Sequence, residues 1–491
     1  MTAILLIAGL CGIWLAGYSL SAQLCGSGDD GPGRTERFGL ALPLGIAVHS
    51  GILFLWSLAG GTFTSGVSWS VTAAGIIIGL LVLWKRRGRR AVNAGAESPP
   101  DGTALAGCCR CIVLLLLVGT FVLALMTPQR FWDERAIFGI KSKVLFTEGT
   151  LDSAALNHPD FVQGHPRYPL LIPLAELHVY ELLGRIDDRW SKAVFPLLFA
   201  GLVLTYAGVL SRRFGPGTGW LFALLLATTP LLAPYELGFI TGQGDAPVAC
   251  YHGLAVLYMW DWLQFSGGGL PIIRRAVLVG VLAASAVFTK DEGIAHLLVG
   301  LIAMLMTWGI SRLGGRLNAS TVNSGGAPAF ADVAKLLAVA GGTAVLLLAP
   351  WLLHRRTLPT TNEMQYLARL SSDRLAEHVD ALGWLIPHLA SRMFREWREW
   401  GLQWWLLIVA AVTAPRHLLR PAQVFVLLEI VGGLAALVVA GMIAPAELHD
   451  HIGGSSHRYL IQLAPLAILF AAGQWGEESG KPTAESGAAG N

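Results

Sequence analysis

The sequence predicts an all-α protein, a polytopic transmembrane helical bundle of about 13–14 membrane segments with short interfacial helices in its outer loops. Three observations predict it. Hydrophobic residues make up 54% of the 491 positions and charged residues only 14%, where soluble domains carry roughly 25% charged residues. Apolar runs of the length that crosses a hydrocarbon layer recur throughout the chain. Basic clusters fall in alternate gaps between those runs, as expected for loops retained in the cytoplasm. A net charge of +3, with no basic-aromatic patch, argues against a nucleic-acid partner.

Taken in order, residues 3–21 form the first run. It has no basic leader region and no small-residue cleavage site before Cys25, so it reads as a retained span. A polar loop at 26–37 follows, then runs at 38–58 and 69–84. Lys85-Arg86-Arg87-Gly88-Arg89-Arg90 is the strongest orientation signal and assigns that end to the cytoplasm. The span at 111–127 then runs outward, and the segment beginning at Phe131 faces an extracytoplasmic space. Further runs lie at 193–210, 218–235, 246–264, 272–288, 294–311, 333–353, 401–414, 422–443 and 459–474. Arg212-Arg213, Arg274-Arg275, Arg312 with Arg316, and Arg416 with Arg420 all fall on the inside by this count. Residues 169–184 would break the parity if they crossed. Pro173, Glu176, His178 and Glu181 interrupt them, and a short re-entrant or tilted helix keeps the count. The organisation is therefore extra N-terminal spans and a basic loop over 1–110, a main transmembrane domain over 111–475, and a polar, disordered tail over 476–491. The six cysteines lie in or beside apolar runs and read as packing residues; Cys108-Cys109-Arg110-Cys111 could alternatively bind metal or accept a lipid.

Polar residues in the outer loops carry the candidate chemistry. Asp133 and Glu134 stand just past a span end. Trp132, Ala136, Ile140 and Val144 share one strip, which predicts a helix lying along the interface with Asp133 at its start. Helix capping and catalysis are both open to such a carboxylate. In His165-Pro166-Arg167-Tyr168-Pro169 the prolines predict extended backbone, with Arg167 able to reach lipid headgroups or a phosphate. Asp245 opens an inward span, which also suits a helix start. Lys290, in Thr289-Lys290-Asp291-Glu292, sits where it could neutralise a lipid phosphate. His457 and Arg458 precede the last span. His449, Asp450, His451 and His457 lie close together without a standard metal-ligand spacing, so no metal is assigned. The long outer segment 354–400, with Trp384, Trp397 and Trp400, reads as an interfacial helix.

These elements, in their order, resemble the GT-C superfamily of polyprenyl-phosphate-sugar-dependent glycosyltransferases, nearest the protein O-mannosyltransferase and lipid A aminoarabinose transferase branch. The resemblance spans about residues 111–475. It rests on Asp133-Glu134 with Lys141-Ser142-Lys143 and Glu148-Gly149, on His165-Pro166 with Tyr168-Pro169, and on Arg213-Phe214-Gly215. Downstream it rests on Pro230 before Asp245, Thr289-Lys290 before Gly293, Pro350-Trp351, and His457-Arg458-Tyr459 before Pro465. The chain departs from the family in its three extra leading spans, in Arg167-Tyr168 at the re-entry motif, and in lacking a large soluble C-terminal domain.

The resemblance implies a polyprenyl-phosphate sugar as donor and a glycan, lipid or protein hydroxyl as acceptor. It implies inverting transfer on the extracytoplasmic face of the cell membrane, with no cofactor. Asp133 would be the general base and Glu134 would help position the acceptor. His165, Arg167, Tyr168, Asp245, Lys290, His457 and Arg458 would bind substrate, Lys290 and Arg167 at the donor phosphate. A multi-span transporter or lipid flippase is the competing class. Against it, these charges lie at one face and not at mid-membrane, and no transporter-type repeat is evident.

Overall fold

The computed structural model describes residues 2–25, 32–90, 104–233, 237–264, 271–317, 328–360, 369–443 and 448–476. The tail, residues 26–31 of the first polar loop and the side chains of Asp450 and His451 lie outside these. Every described element is helical. In chain order they are α1 Thr2–Leu24, α2 Arg34–Leu58, α3 Ser65–Arg90 and α4 Ala104–Met126. A π-helical segment, Glu134–Gly139, leads into α5 Ile140–Glu148, followed by α6 Leu171–Leu183, α7 Val194–Phe214 and α8 Pro216–Ala227. Next come α9 Asp245–Gln264, α10 Ile272–Thr289, α11 Glu292–Leu317 and α12 Phe330–Arg355. The remainder comprises α13 Ser372–Glu377, α14 Leu382–Arg395, α15 Trp397–Trp400, α16 Gln403–Thr413, α17 Pro421–Ile443 and α18 Leu448–Trp475.

Among the described residues, nine helices are long and apolar enough to cross a membrane, and the chain is a multi-pass integral membrane protein. Long α9 and α18 join the bundle although they carry buried polar groups such as Asp245, Asp261 and Gln462. Lipid-exposed leucines and isoleucines on α3, α4 and α12, against an interior built on α7, α9 and α18, follow from a solvent that is itself apolar. Small residues bring the N-terminal helices together. A methyl group on Gly17 of α1 would overlap the Ala41 carbonyl of α2, and one on Gly45 would overlap the Ile13 carbonyl. A groove of about 770 Å³ runs between α1, α2 and α3, past Gln23, His49 and Thr64.

Ion pairs fix which helix ends lie together. Arg86 donates to the Ala22 carbonyl, Arg212 pairs with Glu36 at 3.1 Å, and Asp261 receives Arg213 at 2.6 Å and Arg275 at 3.2 Å. These basic positions, on α3, α7 and α10, therefore share one end of the bundle. At the opposite end Lys192 donates to Thr127, and Arg355 pairs with Asp291 at 2.8 Å.

The interrupted segment at 169–184 resolves into α6, 13 residues long, hence about 20 Å against a hydrocarbon thickness of about 30 Å. Ser65 at the start of α3 donates to its Glu181, and Arg185 just beyond it reaches Thr2 at the start of α1. Lys192, at the start of α7, is at that same end. The segment thus begins and finishes in one half of the bundle, and the alternation of basic loops is preserved.

Candidate functional site

The site lies at the end opposite the arginine-rich one and starts with the π-helical turn after α4. Across this turn and the start of α5, Glu134, Phe138, Lys141, Ser142 and Leu145 are buried, and Trp132 is exposed. Asp133 makes no capping hydrogen bond to the helix it precedes. Its carboxylate instead accepts from Arg458 of α18, 325 positions away in sequence.

Arg458 also donates to Asp245 Oδ2 at 3.1 Å. Asp245 Oδ1 accepts from Lys290 at 2.7 Å and from the Gln462 amide at 3.2 Å. Lys290 has a second acid, Glu292, at 2.8 Å. Three helix ends, carrying Asp133, Asp245 and Lys290, therefore meet at Arg458, which does not precede the last helix as expected but lies inside α18, ten residues past its start at Leu448. The Asp245 and Lys290 side chains are 0% and 4% exposed, whereas Arg458 and Asp133 are 24% and 16% exposed. The cluster has a sealed floor and a rim that a polar solute can touch.

A second group borders the first. Asp291 pairs bidentately with Arg355 at the end of α12. Lys141 lies 5.4 Å from the centre of the Tyr168 ring, and its charge interacts with Asp291 and Arg355. Burial pulls the Lys141 ammonium down to about 7; attraction to Asp291 opposes this, and repulsion from Arg355 adds to it. Burial likewise raises the Asp291 carboxyl to about 6 despite the Arg355 guanidinium. Tyr168 links the groups, because Arg458 feels its hydroxyl as well. Arg167 donates through Nε to the Leu358 carbonyl at 3.0 Å and lies within the field of Arg355.

One further expectation is corrected, that of extended backbone at His165. Glu134 lies beneath the rim. Its side chain is 0% exposed, accepts the backbone N–H groups of Arg130, Phe131 and Gly242, and lies 3.7 Å from Lys192. It ties the loop carrying Asp133 to the loop before α9, because a buried carboxylate needs donors from whatever backbone surrounds it. The backbone at His165 is not extended. It adopts φ 47°, and the Tyr168 N–H donates to the His165 carbonyl at 2.9 Å, closing a turn with Pro166 at its second position. The His165 and Tyr168 rings stack at 4.9 Å. His457 sits between Arg392 and Arg458 at the edge of the cluster. His449 packs on Trp384 at 4.0 Å.

Sequence reading missed Lys141 as a site side chain, along with Asp291, Arg355 and Gln462. Gln462 carried a legible signal: it follows Arg458 by four positions, hence lies on the same helix face, in an otherwise apolar run. Arg355 carried none, because a basic residue ending a span ordinarily snorkels. Sequence reading also missed ionisable groups buried inside the bundle. Glu429, nine positions into the 23-residue α17, is 1% exposed, and the His252 and His296 rings stack at 4.1 Å.

Among the described residues no group of three or more His, Cys, Asp or Glu side chains is arranged to hold a metal ion. Comparison with family models, with curated proteins and with solved structures finds no match.

Proposed function

We propose that the chain is a membrane glycosyltransferase that moves a sugar from a polyprenyl-phosphate donor to an acceptor hydroxyl on the extracytoplasmic side, with inversion and with Asp133 as general base. The observation that carries this reading is the meeting of Asp133, Asp245, Lys290 and Arg458 at one end of a membrane bundle, with the acid at the rim and the cations beside it. Asp133 accepts the proton of the attacking hydroxyl. Arg458 is shared between two acids, so it can turn toward the departing phosphate when substrate neutralises the Asp133 pair. Arg355, partly exposed, extends the cationic surface and is a further candidate for the donor phosphate, with Lys141 buried behind it.

The test is transfer by purified protein from a radiolabelled polyprenyl-phosphate sugar. Removing a general base costs roughly 10²–10⁴-fold, so Asp133→Asn should release almost no lipid phosphate while eluting and melting like the parent. Transfer at the parental rate by that variant would reject the assignment. A transporter or flippase is the second reading, and Glu429 with His252 and His296 inside the bundle favours it, since intramembrane ionisable groups mark ion and substrate paths. Flux into sealed vesicles without cleavage of the lipid phosphate would select it.

A further inference from the structure

Beneath the Asp133–Asp245 cluster lies a cavity of about 40 Å³, lined by α9, α10, α11, α12 and α17. Its walls are almost wholly apolar. The surfaces of α10 and α12 contribute only Val279, Gly280, Ala283, Ala286, Leu337, Ala340 and Gly341, none of which titrates. Three ionisable side chains break that lining: His252 from α9, His296 from α11 and Glu429 from α17. Each is more than nine-tenths buried, and each has one side-chain atom without a hydrogen-bond partner: His252 Nε2, His296 Nδ1 and Glu429 Oε2. Three unsatisfied polar atoms around one apolar hole is a costly arrangement unless something fills it.

Hydrogen-bond chemistry identifies the filler. His296 Nε2 lies 2.8 Å from Gln462 Oε1, which only accepts, so Nε2 carries the proton and Nδ1 presents a lone pair. The other end of the Gln462 amide donates to Asp245, which fixes its orientation. Among the described residues no cation pairs with Glu429, and an isolated carboxylate buried there would be held neutral, with an O–H to donate. A hole of this size exceeds the minimum of roughly 10–15 Å³ that one water requires. One donor, one lone pair and a polar imidazole edge satisfy a water's needs.

We propose that this cavity is a hydrated proton site, occupied by water, in which Glu429 is the resident acid and His296 the resident base. In its transfer step the Glu429 O–H bond breaks and that proton passes to the water. A second proton leaves the water for His296 Nδ1. A carboxylate and an imidazolium result, with the water regenerated and net charge unchanged. The imidazolium donates more strongly to Gln462, so the state of the site reaches Asp245 through a single side chain. The inference does not depend on the transferase reading.

Infrared difference spectroscopy of the purified full chain in detergent tests it without any activity. A protonated-carboxyl C=O band should be present near neutral pH, should shift in D₂O, and should be absent from Glu429→Gln. A band unaltered in that variant would show Glu429 ionised, and a Glu429 band that failed to shift in D₂O would show a dry cavity; either result overturns the proposal. Should Glu429→Gln not fold, His296→Asn supplies the reading. The Glu429 band must change frequency when the base across the water is removed, and an unmoved band overturns the proposal equally.

Discussion

The buried Asp245–Lys290 pair offers the sharpest test of how the candidate site is held. Asp245 is fully buried and receives Lys290, Arg458 and Gln462. Breaking a buried ion pair by removing one partner costs about 3–5 kcal/mol, chiefly because a charge is left uncompensated. Here the cost falls toward the lower limit. Lys290 keeps Glu292 at 2.8 Å, and Arg458 keeps Asp133. Asp245→Asn is therefore expected to destabilise by about 3 kcal/mol. Lys290→Met removes the charge but fills a similar volume, and should cost less. In the double variant neither charge remains, so the two effects should not add, with a coupling of about 1–3 kcal/mol. The assay is a double-mutant cycle by reversible denaturant unfolding in one defined micelle, at constant pH. Additivity within about 0.5 kcal/mol would refute the reasoning, because it would mean that the two groups do not interact energetically.

Other variants test other parts of the molecule. Asp261→Asn should be among the most damaging single changes at the basic end, costing about 3–5 kcal/mol, since one carboxylate faces Arg212, Arg213 and Arg275; a thermal midpoint equal to the parent's would contradict that. Gly17→Ala should loosen α1 from α2, because the added methyl meets the Ala41 carbonyl with no room to move, and faster proteolysis within residues 1–60 would report it. Lys141 sets a pH dependence. Its folded value of about 7 lies below the ordinary 10.5, so the unfolded chain binds more protons between those limits and stability should rise with pH across that window. Lys141→Met should flatten that rise in a plot of melting temperature against pH, and an unchanged slope would assign it to another group.

Architecture was legible in the sequence because its signals are local and repeat. A run such as 422–443 declares a span by length and apolarity alone, and appears as Pro421–Ile443. Arg212-Arg213 and Arg275 declare their shared end by a rule that needs no partner, and their common acid Asp261 bears it out. The candidate site was legible in part. Asp133, Asp245, Lys290 and Arg458 stood out as charges interrupting apolar text, and the fold brings all four together. Glu134 stood out for the same reason, yet it serves the backbone around it, since adjacency in sequence says nothing about which way a side chain turns.

By itself, then, the sequence determined a membrane bundle, its alternating ends and the acids and bases available at each, since hydrophobicity and charge act through length and composition. Only the tertiary structure decided that Arg458 divides itself between Asp133 and Asp245, that α6 returns to the half it started in, and that Glu429, His252 and His296 face one small cavity. Those outcomes depend on the axial and rotational register of helices hundreds of residues apart, which is fixed by close packing across the bundle and written in no single segment.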